Sequence, residues 1–158
     1  MTGRFIIRTR SASDTAALGE IFRRSIRETA SRDYRPEQIE AWTRFADENT
    51  AWDERMNTRL VWVAEEQGKP IGFIQLELPD HIDLTYVHPE HQRKGVATAL
   101  LAAVEEMARQ SGVKLLKVEA SITSQPFFAE RGFETVSPQI VTARGQEFLN
   151  YRMEKWLK

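Results

Sequence analysis

The stretch of sequence that decides the fold joins a predicted strand to the longest predicted helix. It reads Tyr86-Val-His-Pro-Glu-His-Gln-Arg-Lys-Gly-Val-Ala-Thr98. Pro89 ends the strand, because proline cannot donate to a strand ladder. Beyond it, apolar residues recur at helical spacing and predict a helix over residues 95–111, with a stripe made of Ala97, Leu100, Leu101, Val104, Met107 and Ala108.

The chain before this stretch predicts one strand, two helices and three further strands. The first strand covers residues 4–10, and the helices cover about 13–29 and 36–46, the second starting at Pro36. The three strands are 60–65, 71–78 and 81–87, separated by turn residues.

After the long helix we predict a strand at 114–120, a short helix at 125–131 and a hairpin of strands 133–141 and 147–156. The strand–helix–strand unit in the middle predicts a parallel crossover, whereas the flanking hairpins are antiparallel. The fold class is therefore α/β with one mixed sheet, in the order β-α-α-β-β-β-α-β-α-β-β.

Length and composition limit the possible classes of protein. The 158 residues predict a single domain spanning 1–158. With 41% apolar and 28% charged residues, the chain is not of the disordered class. There is no cysteine and there are three histidines, so we expect neither thiol chemistry nor a metal site. The net charge of −1 lacks the basic excess typical of nucleic-acid binding.

The uncharged stretches are too short for a membrane span. The longest, Gly95–Val104 and Ala120–Ala129, have 10 residues each, whereas a spanning helix needs about 20. The N-terminal residues also lack the apolar core of a signal peptide. We therefore expect a soluble, cytoplasmic protein with no membrane partner.

The basic turn before the long helix has the properties of an anion site. Free backbone N–H groups at a helix start lie at the positive end of the helix dipole. Arg93 and Lys94 add charge, and Gly95 lets a ligand approach the backbone. An ordinary solvated helix start explains the same residues equally well. The two Gly-rich nucleotide motifs, Gly-x4-Gly-Lys-Ser/Thr and Gly-x-Gly-x-x-Gly, are absent.

Two motifs carry a resemblance to a known family. Gln92-x-x-Gly95-x-Ala97 matches the Q/R-x-x-G-x-G/A signature of the GNAT superfamily, the acetyl-CoA-dependent N-acetyltransferases. Pro126-Phe-Phe-Ala-Glu-Arg-Gly-Phe133 is similar to the segment that closes the family's cofactor site. Segments 31–42 and 120–128 resemble the YafP-like branch in particular. The resemblance implies acetyl-CoA as co-substrate, no metal, and a homodimer as one possible assembly.

The resemblance also implies which residues hold the coenzyme. Ser121 stands where the family commonly has an asparagine that contacts pantetheine. The main chain of Tyr86 and Val87 would pair with pantetheine and the thioester, and an N–H there would stabilise the oxyanion. The pyrophosphate would lie on the turn formed by Gln92, Arg93, Lys94, Gly95, Val96, Ala97 and Thr98.

Phe128 departs from the family pattern. Many members carry a tyrosine at this position, which protonates the leaving thiolate, and phenylalanine has no proton to donate. Either another tyrosine serves as donor (Tyr34, Tyr86 or Tyr151), or the thiolate leaves unassisted, which a thiol pKa near 8.5 allows.

An alkyl ammonium must lose a proton before it attacks a thioester, so we expect a general base. Asp83 is the first candidate, because it precedes the oxyanion residues and alternation sets it opposite Ile82 and Leu84. Weaker candidates are Glu77, Glu119 and His81. Tyr34 and Trp52 fall outside helical periodicity in the region that covers the family's acceptor pocket, and we predict that they bind the acceptor.

The predicted function is acetyl transfer from acetyl-CoA to a primary amine, in a small molecule or a peptide, by direct attack in a ternary complex. The sequence has no cysteine and no Gly-x-Ser-x-Gly nucleophile. One alternative is a non-catalytic acyl-CoA-binding regulatory module, which Phe128 favours. The other is a toxin-type acetyltransferase acting on aminoacyl-tRNA, which the net charge of −1 disfavours.

Overall fold

A mixed sheet of seven strands organises residues 4–158, the part of the chain that the computed structural model describes. Of Asn49 only the backbone is described. The spatial order is β1-β2-β3-β4-β5-β7-β6, with bounds β1 Ile6–Thr9, β2 Leu60–Glu66, β3 Lys69–Glu77, β4 His81–Val87, β5 Leu115–Ser121, β6 Glu134–Ala143 and β7 Gln146–Trp156. The β4–β5 pair is parallel and the other pairs are antiparallel, which confirms the predicted fold class.

Five α-helices cover the sheet in the described residues: α1 Thr15–Glu28, α2 Pro36–Asp47, α3 Asn49–Asn57, α4 Val96–Gln110 and α5 Gln125–Glu130. None of them is both long and apolar enough to cross a membrane. The prediction of two helices before the first hairpin is wrong by one, because α3 was not foreseen. Among the side chains of residues 50–57, only Trp52 and Met56 belong to the core, so the sequence of this helix shows no helical stripe.

Two hydrophobic cores lie on opposite faces of the sheet. The core under α4 and α5 contains Ile82, Leu100 and Phe128. The core under α1, α2 and α3 contains Phe22 and Leu84. Each core is built from the apolar face of its helices and every second strand residue, as packing on both faces of a sheet requires.

A bulge interrupts β4 where it pairs with β3. Ile74 pairs with Thr85 and Leu76 with Ile82, so one residue of β3 faces both Asp83 and Leu84. A bulge breaks the alternation of side chains. Ile82 therefore packs under α4 and Leu84 under α1. The expectation that Asp83 points opposite Leu84 is corrected, because Asp83 pairs with an arginine of α3, on the same face as Leu84.

The parallel strands β4 and β5 separate soon after they begin. Their pairing comprises His81 with Lys117 and Ile82 with Val118. The later residues of both strands, 83–87 and 119–121, are not paired with each other. A wedge-shaped gap therefore opens at the centre of the sheet, next to the start of α4.

Candidate active site

The turn before α4 presents a row of unpaired backbone N–H groups. Within residues 4–158, no protein acceptor is found for the N–H groups of residues 92–98, whereas Ala99 donates to Gly95. Gly95 has φ 80°, and a Cβ there would meet no atom within 4 Å. The turn is therefore open above this glycine, and its amides are available to an anion at the positive end of the α4 dipole.

Three cationic side chains surround these amides. Arg93 and Lys94 belong to the turn and are exposed. The third, Arg131, follows α5, and its Nε and Nη2 donate to Thr98 Oγ1 at 3.0 and 2.8 Å. Its guanidinium lies 4.0 Å from the ring centroid of Phe127. Because Thr98 Oγ1 accepts from Arg131, its own O–H remains free to donate. Sequence analysis missed Arg131, since no local pattern links it to Thr98.

Backbone alternation decides which N–H of β4 faces the gap. The His88 N–H donates to Ile71 O of the β3 side at 2.8 Å. In an antiparallel ladder every second residue faces the same neighbour, so the Tyr86 N–H also faces β3. The Val87 N–H and C=O therefore face β5, and Gln92 Nε2 donates to that carbonyl at 3.0 Å. The oxyanion role expected of the Tyr86 main chain is corrected, because Val87 carries the N–H at the gap.

The other side of the gap is formed by the end of β5 and by α5. Ser121 Oγ donates to Ser124 Oγ and accepts from the Ser124 N–H, both at 3.0 Å. Phe128 is 2% exposed and packs edge-to-face against Phe127 and Phe133. Ser121 therefore fixes the start of α5, while the Phe128 ring forms an apolar wall.

A cavity of about 800 Å³ extends from this gap to the space under α1, α2 and the β6–β7 turn. Its charged lining includes Asp83 and Glu119 from the two sides of the gap. Glu48 and Arg144 also line it and form an ion pair that links the start of α3 to the β6–β7 turn. The aromatic lining comprises Phe22, Tyr34, Trp42, Phe45, Tyr86, Phe127, Phe128 and Phe148.

The two predicted acceptor residues lie in different environments. Tyr34 lines the cavity, but its hydroxyl donates to Leu149 O at 2.6 Å and accepts from the Ile122 N–H at 3.0 Å. Trp52 is 3% exposed, does not line the cavity, and donates from Nε1 to Thr15 O at 3.0 Å. The acceptor role predicted for Trp52 is therefore corrected to core packing. Trp42 and Phe45 line the cavity instead.

The carboxylate of Asp83 is held by two arginines. Arg55 of α3 donates from Nε and Nη2 to the two carboxylate oxygens, both at 2.7 Å. Arg59 Nε lies 3.1 Å from Asp83 Oδ2. The Asp83 side chain is 13% exposed, so this is a half-buried, bidentate pair with strong charge-assisted bonds.

Glu119 has a different partner on the opposite side of the gap. Its Oε1 lies 3.1 Å from His81 Nε2, and His81 Nδ1 lies 2.9 Å from Glu77 Oε1. The Glu119 and Glu77 carboxylates raise the pKa of His81 to about 9, against the opposing effect of burial. The hydrogen bond to His81 in turn lowers the pKa of Glu119.

Tyr86 lies on β4, and its side chain lines the cavity. Burial raises its pKa above the usual range, so the hydroxyl keeps its proton at neutral pH. Tyr151 does not line the cavity. Within residues 4–158, no three histidine, aspartate or glutamate side chains form a group that could hold a metal ion.

The open start of α4 beside the split strand pair is an anion-binding turn next to an extended groove. Residues 30–155 match the sequence profile described as an acetyltransferase (GNAT) domain. The chain is 40% identical over 147 residues to the Escherichia coli K12 N-acetyltransferase YafP, covering 93% of each protein.

Solved structures show the same likeness. The chain is similar to a GCN5-related N-acetyltransferase from Rhodopseudomonas palustris, with TM-score 0.96, 36% identity and coverage of 99% of this chain and 98% of that chain. It is similar in fold to the PaiA N-acetyltransferase of Thermoplasma acidophilum, solved in complex with coenzyme A, with TM-score 0.81, 22% identity and coverage of 98% and 99%. The chain belongs to the GNAT family of acetyltransferases.

Proposed function

We propose that the protein transfers the acetyl group of acetyl-CoA to a primary amine by direct attack in a ternary complex. The observation that carries this proposal is the continuity of the unpaired 92–98 amides, the gap between β4 and β5, and the 800 Å³ cavity. An anionic carrier at the turn then directs its thioester into the gap, and an acceptor in the cavity approaches from the other side.

The turn at the start of α4, the coenzyme end of the cavity, suits the diphosphate of coenzyme A. Its oxygens would accept from the amides of the turn and from the Thr98 hydroxyl, with Arg93, Lys94 and Arg131 balancing the charge. The related PaiA structure was solved with coenzyme A. A similar fold, YncA of Salmonella typhimurium, was solved with acetyl-CoA at TM-score 0.68 and 24% identity, with coverage of 99% of this chain and 95% of that chain.

The gap suits the pantetheine arm and the thioester. An extended arm pairs with the free edge of β4 as an added strand would. The Val87 N–H then donates to the thioester oxygen and stabilises the charge that develops when the amine attacks. The thiolate leaves either unassisted or with a proton from Tyr86, since the hydroxyl of Tyr34 is engaged by the main chain.

The acceptor end suits an amine on an apolar group. Aromatic side chains of α1, α2 and β7, namely Phe22, Trp42, Phe45 and Phe148, line the cavity, and they would bury the hydrocarbon part of a small or peptide amine. The chain contains no cysteine, and we propose that the amine nitrogen attacks the thioester carbon itself. This route forms a C–N bond and breaks the C–S bond without a covalent acetyl-enzyme.

Calorimetry with acetyl-CoA, followed by thiol release across a panel of primary amines, tests the proposal. We expect binding with Kd between about 1 μM and 1 mM, and thiol release that depends on the amine. Binding without thiol release for every amine would support the regulatory-module alternative, which the buried Phe128 ring favours. Acetylation confined to aminoacyl-tRNA would support the other alternative.

A further inference from the structure

We propose that Glu119 accepts the proton of the acceptor amine and passes it to His81, so that this pair, and not Asp83, forms the basic end of the site. This inference rests on the proposed acetyl transfer and names residues within it. His81 acts through Glu119 and is therefore a positioning and relay residue, while Glu119 is the catalytic residue.

The two carboxylates occupy equivalent places at the vertex of the gap. Ile82 and Val118 are the last residues at which β4 and β5 pair. Asp83 follows directly on one strand, and Glu119 follows directly on the other. Both line the cavity. An amine in the cavity meets both carboxylates, and the partners of each carboxylate decide which one takes its proton.

Asp83 is poorly suited to take that proton. Both of its oxygens accept hydrogen bonds from Arg55, and Arg59 lies beside one of them. A proton on this carboxyl would remove the charge that holds two half-buried guanidinium groups. Asp83 therefore anchors α3 to the sheet.

Glu119 keeps one oxygen available to the cavity. Its Oε1 contacts His81, and no partner for Oε2 is found within residues 4–158. Its side chain is 45% exposed. A carboxylate with one free oxygen can accept a proton from an ammonium group and still keep its contact with the imidazole.

The pKa of His81 is close to that of the ammonium group whose proton it would receive. Its pKa of about 9 lies close to the value of about 10.4 for an alkyl ammonium, so the transfer is nearly balanced. Each of the two pKa shifts has the other group as its largest cause, because the Glu119 carboxylate and the His81 imidazolium hydrogen-bond to each other. Charged groups face the imidazole from three strands: Glu77 on β3, Asp83 on β4, and Glu119 and Lys117 on β5. Two arginines lie behind them, since Arg59 pairs with Glu77 and Arg152 is near Glu119.

The acetyl transfer removes two protons from the nitrogen of the acceptor ammonium. The ammonium gives one proton to Glu119 Oε2, and the amine gains a free lone pair. The carboxyl group then turns so that this oxygen faces His81 Nε2, and the proton passes to the neutral imidazole. The nitrogen attacks the acetyl carbon, the C–N bond forms, and the C–S bond breaks with its electron pair on sulfur. The second nitrogen proton neutralises the thiolate, and the imidazolium releases its proton to solvent.

Two probes of different basicity test the relay. Phenethylamine carries its charge near neutral pH and needs a base, whereas hydroxylamine is already neutral at pH about 7 and does not. For Glu119→Gln we expect kcat with phenethylamine to fall about 100-fold, kcat with hydroxylamine to fall less than about threefold, and the Kd of acetyl-CoA to be unchanged. Glu134→Gln, an exposed carboxylate of β6, serves as the control.

His81 is tested by the pH profile. Because the neutral imidazole receives the proton, kcat of the wild-type protein with phenethylamine should rise from neutral pH to about 9. His81→Gln should remove this rise and lower kcat about tenfold near its upper end. An equal loss with both probes, or a Glu119→Gln protein as active as wild type, overturns the relay and leaves acetyl transfer intact. If the wild-type protein binds acetyl-CoA and acetylates neither probe nor any other amine of the panel, the proposed function fails as well.

Discussion

The two ends of the cavity are built in different ways. The coenzyme end takes its main-chain N–H groups from one continuous segment, residues 86–98, to which Arg131 adds a cation from the residue after α5. The acceptor end combines side chains from α3, β4, β5 and the β6–β7 turn, and its charges are paired with each other. Main-chain donors at a helix start follow from local sequence, whereas side-chain pairs follow from how distant segments pack.

The difference has a chemical consequence. The coenzyme end carries an excess of positive charge, and no acceptor within residues 4–158 is found for the N–H groups of residues 92–98, so it attracts an anion. At the acceptor end Asp83 pairs with Arg55 and Glu48 with Arg144, whereas the Oε1 of Glu119 contacts a histidine and no partner for its Oε2 is found within residues 4–158. Changes at the coenzyme end should therefore alter binding, and changes at the acceptor end should alter turnover or stability.

The largest expected effect comes from Gly95→Asp. The new carboxylate would stand in the open space above the turn and repel the diphosphate, so we expect the Kd of acetyl-CoA to rise more than about 100-fold. Gly112→Asp is a matched control at the other end of α4, with φ 79° and open space around it. Calorimetry that finds unchanged affinity in Gly95→Asp removes the turn from the coenzyme site.

The local features of the coenzyme end could be predicted from sequence. Pro89, Gly95 and the apolar stripe defined the strand, the turn and α4, because each acts through neighbouring residues. The direction of the Val87 N–H could not be predicted, since it depends on the pairing of β4 with β3. Arg131 was missed for a similar reason, as its contact with Thr98 joins two helices that are distant in sequence.

The acceptor end was harder to predict because it depends on long-range pairs. Residues 49–57 are too polar to show a helical stripe, so Arg55 had no place in the prediction. Without Arg55, Asp83 looked like a free strand carboxylate at the right position. The β4 bulge adds a further change of face that alternation alone does not foresee.

Asp83→Asn tests the anchoring role of this pair. Loss of the carboxylate charge leaves the guanidinium group of Arg55 without its charged partner and Arg59 with Glu77 alone. We expect the free energy of unfolding to fall by about 2 kcal/mol. The pH dependence of kcat should keep its wild-type shape. Asp53→Asn, an exposed residue of the same helix α3, controls for the change of charge. A selective loss of turnover at low pH, with stability unchanged, would return Asp83 to the role of base.

Arg131→Ala should weaken coenzyme binding by a smaller factor. It removes one of three cations and frees Thr98, so we expect the Kd of acetyl-CoA to rise about tenfold, or about 1.4 kcal/mol. The KM of S-acetyl-N-acetylcysteamine, a thioester without a nucleotide, should not change. Arg109→Ala near the other end of α4 is the control. An equal effect on both thioesters would mean that Arg131 acts on the shape of the gap.

The smallest expected effect is the contribution of His81 to the pH dependence of the free energy of unfolding. Its pKa is raised to about 9 from 6.5 by the carboxylates of Glu119 and Glu77, so the folded state binds the proton more tightly than the unfolded state. That stabilisation is complete below pH 6.5 and is lost as pH rises through about 9. Because the side chain is partly exposed, we expect a loss of about 1 kcal/mol. Chemical denaturation across this range should show the decline in the wild-type protein and not in His81→Gln. A decline that persists in His81→Gln would mean that the carboxylates do not hold the imidazolium, and the acceptor end would then lose the charged pair that distinguishes Glu119 from Asp83.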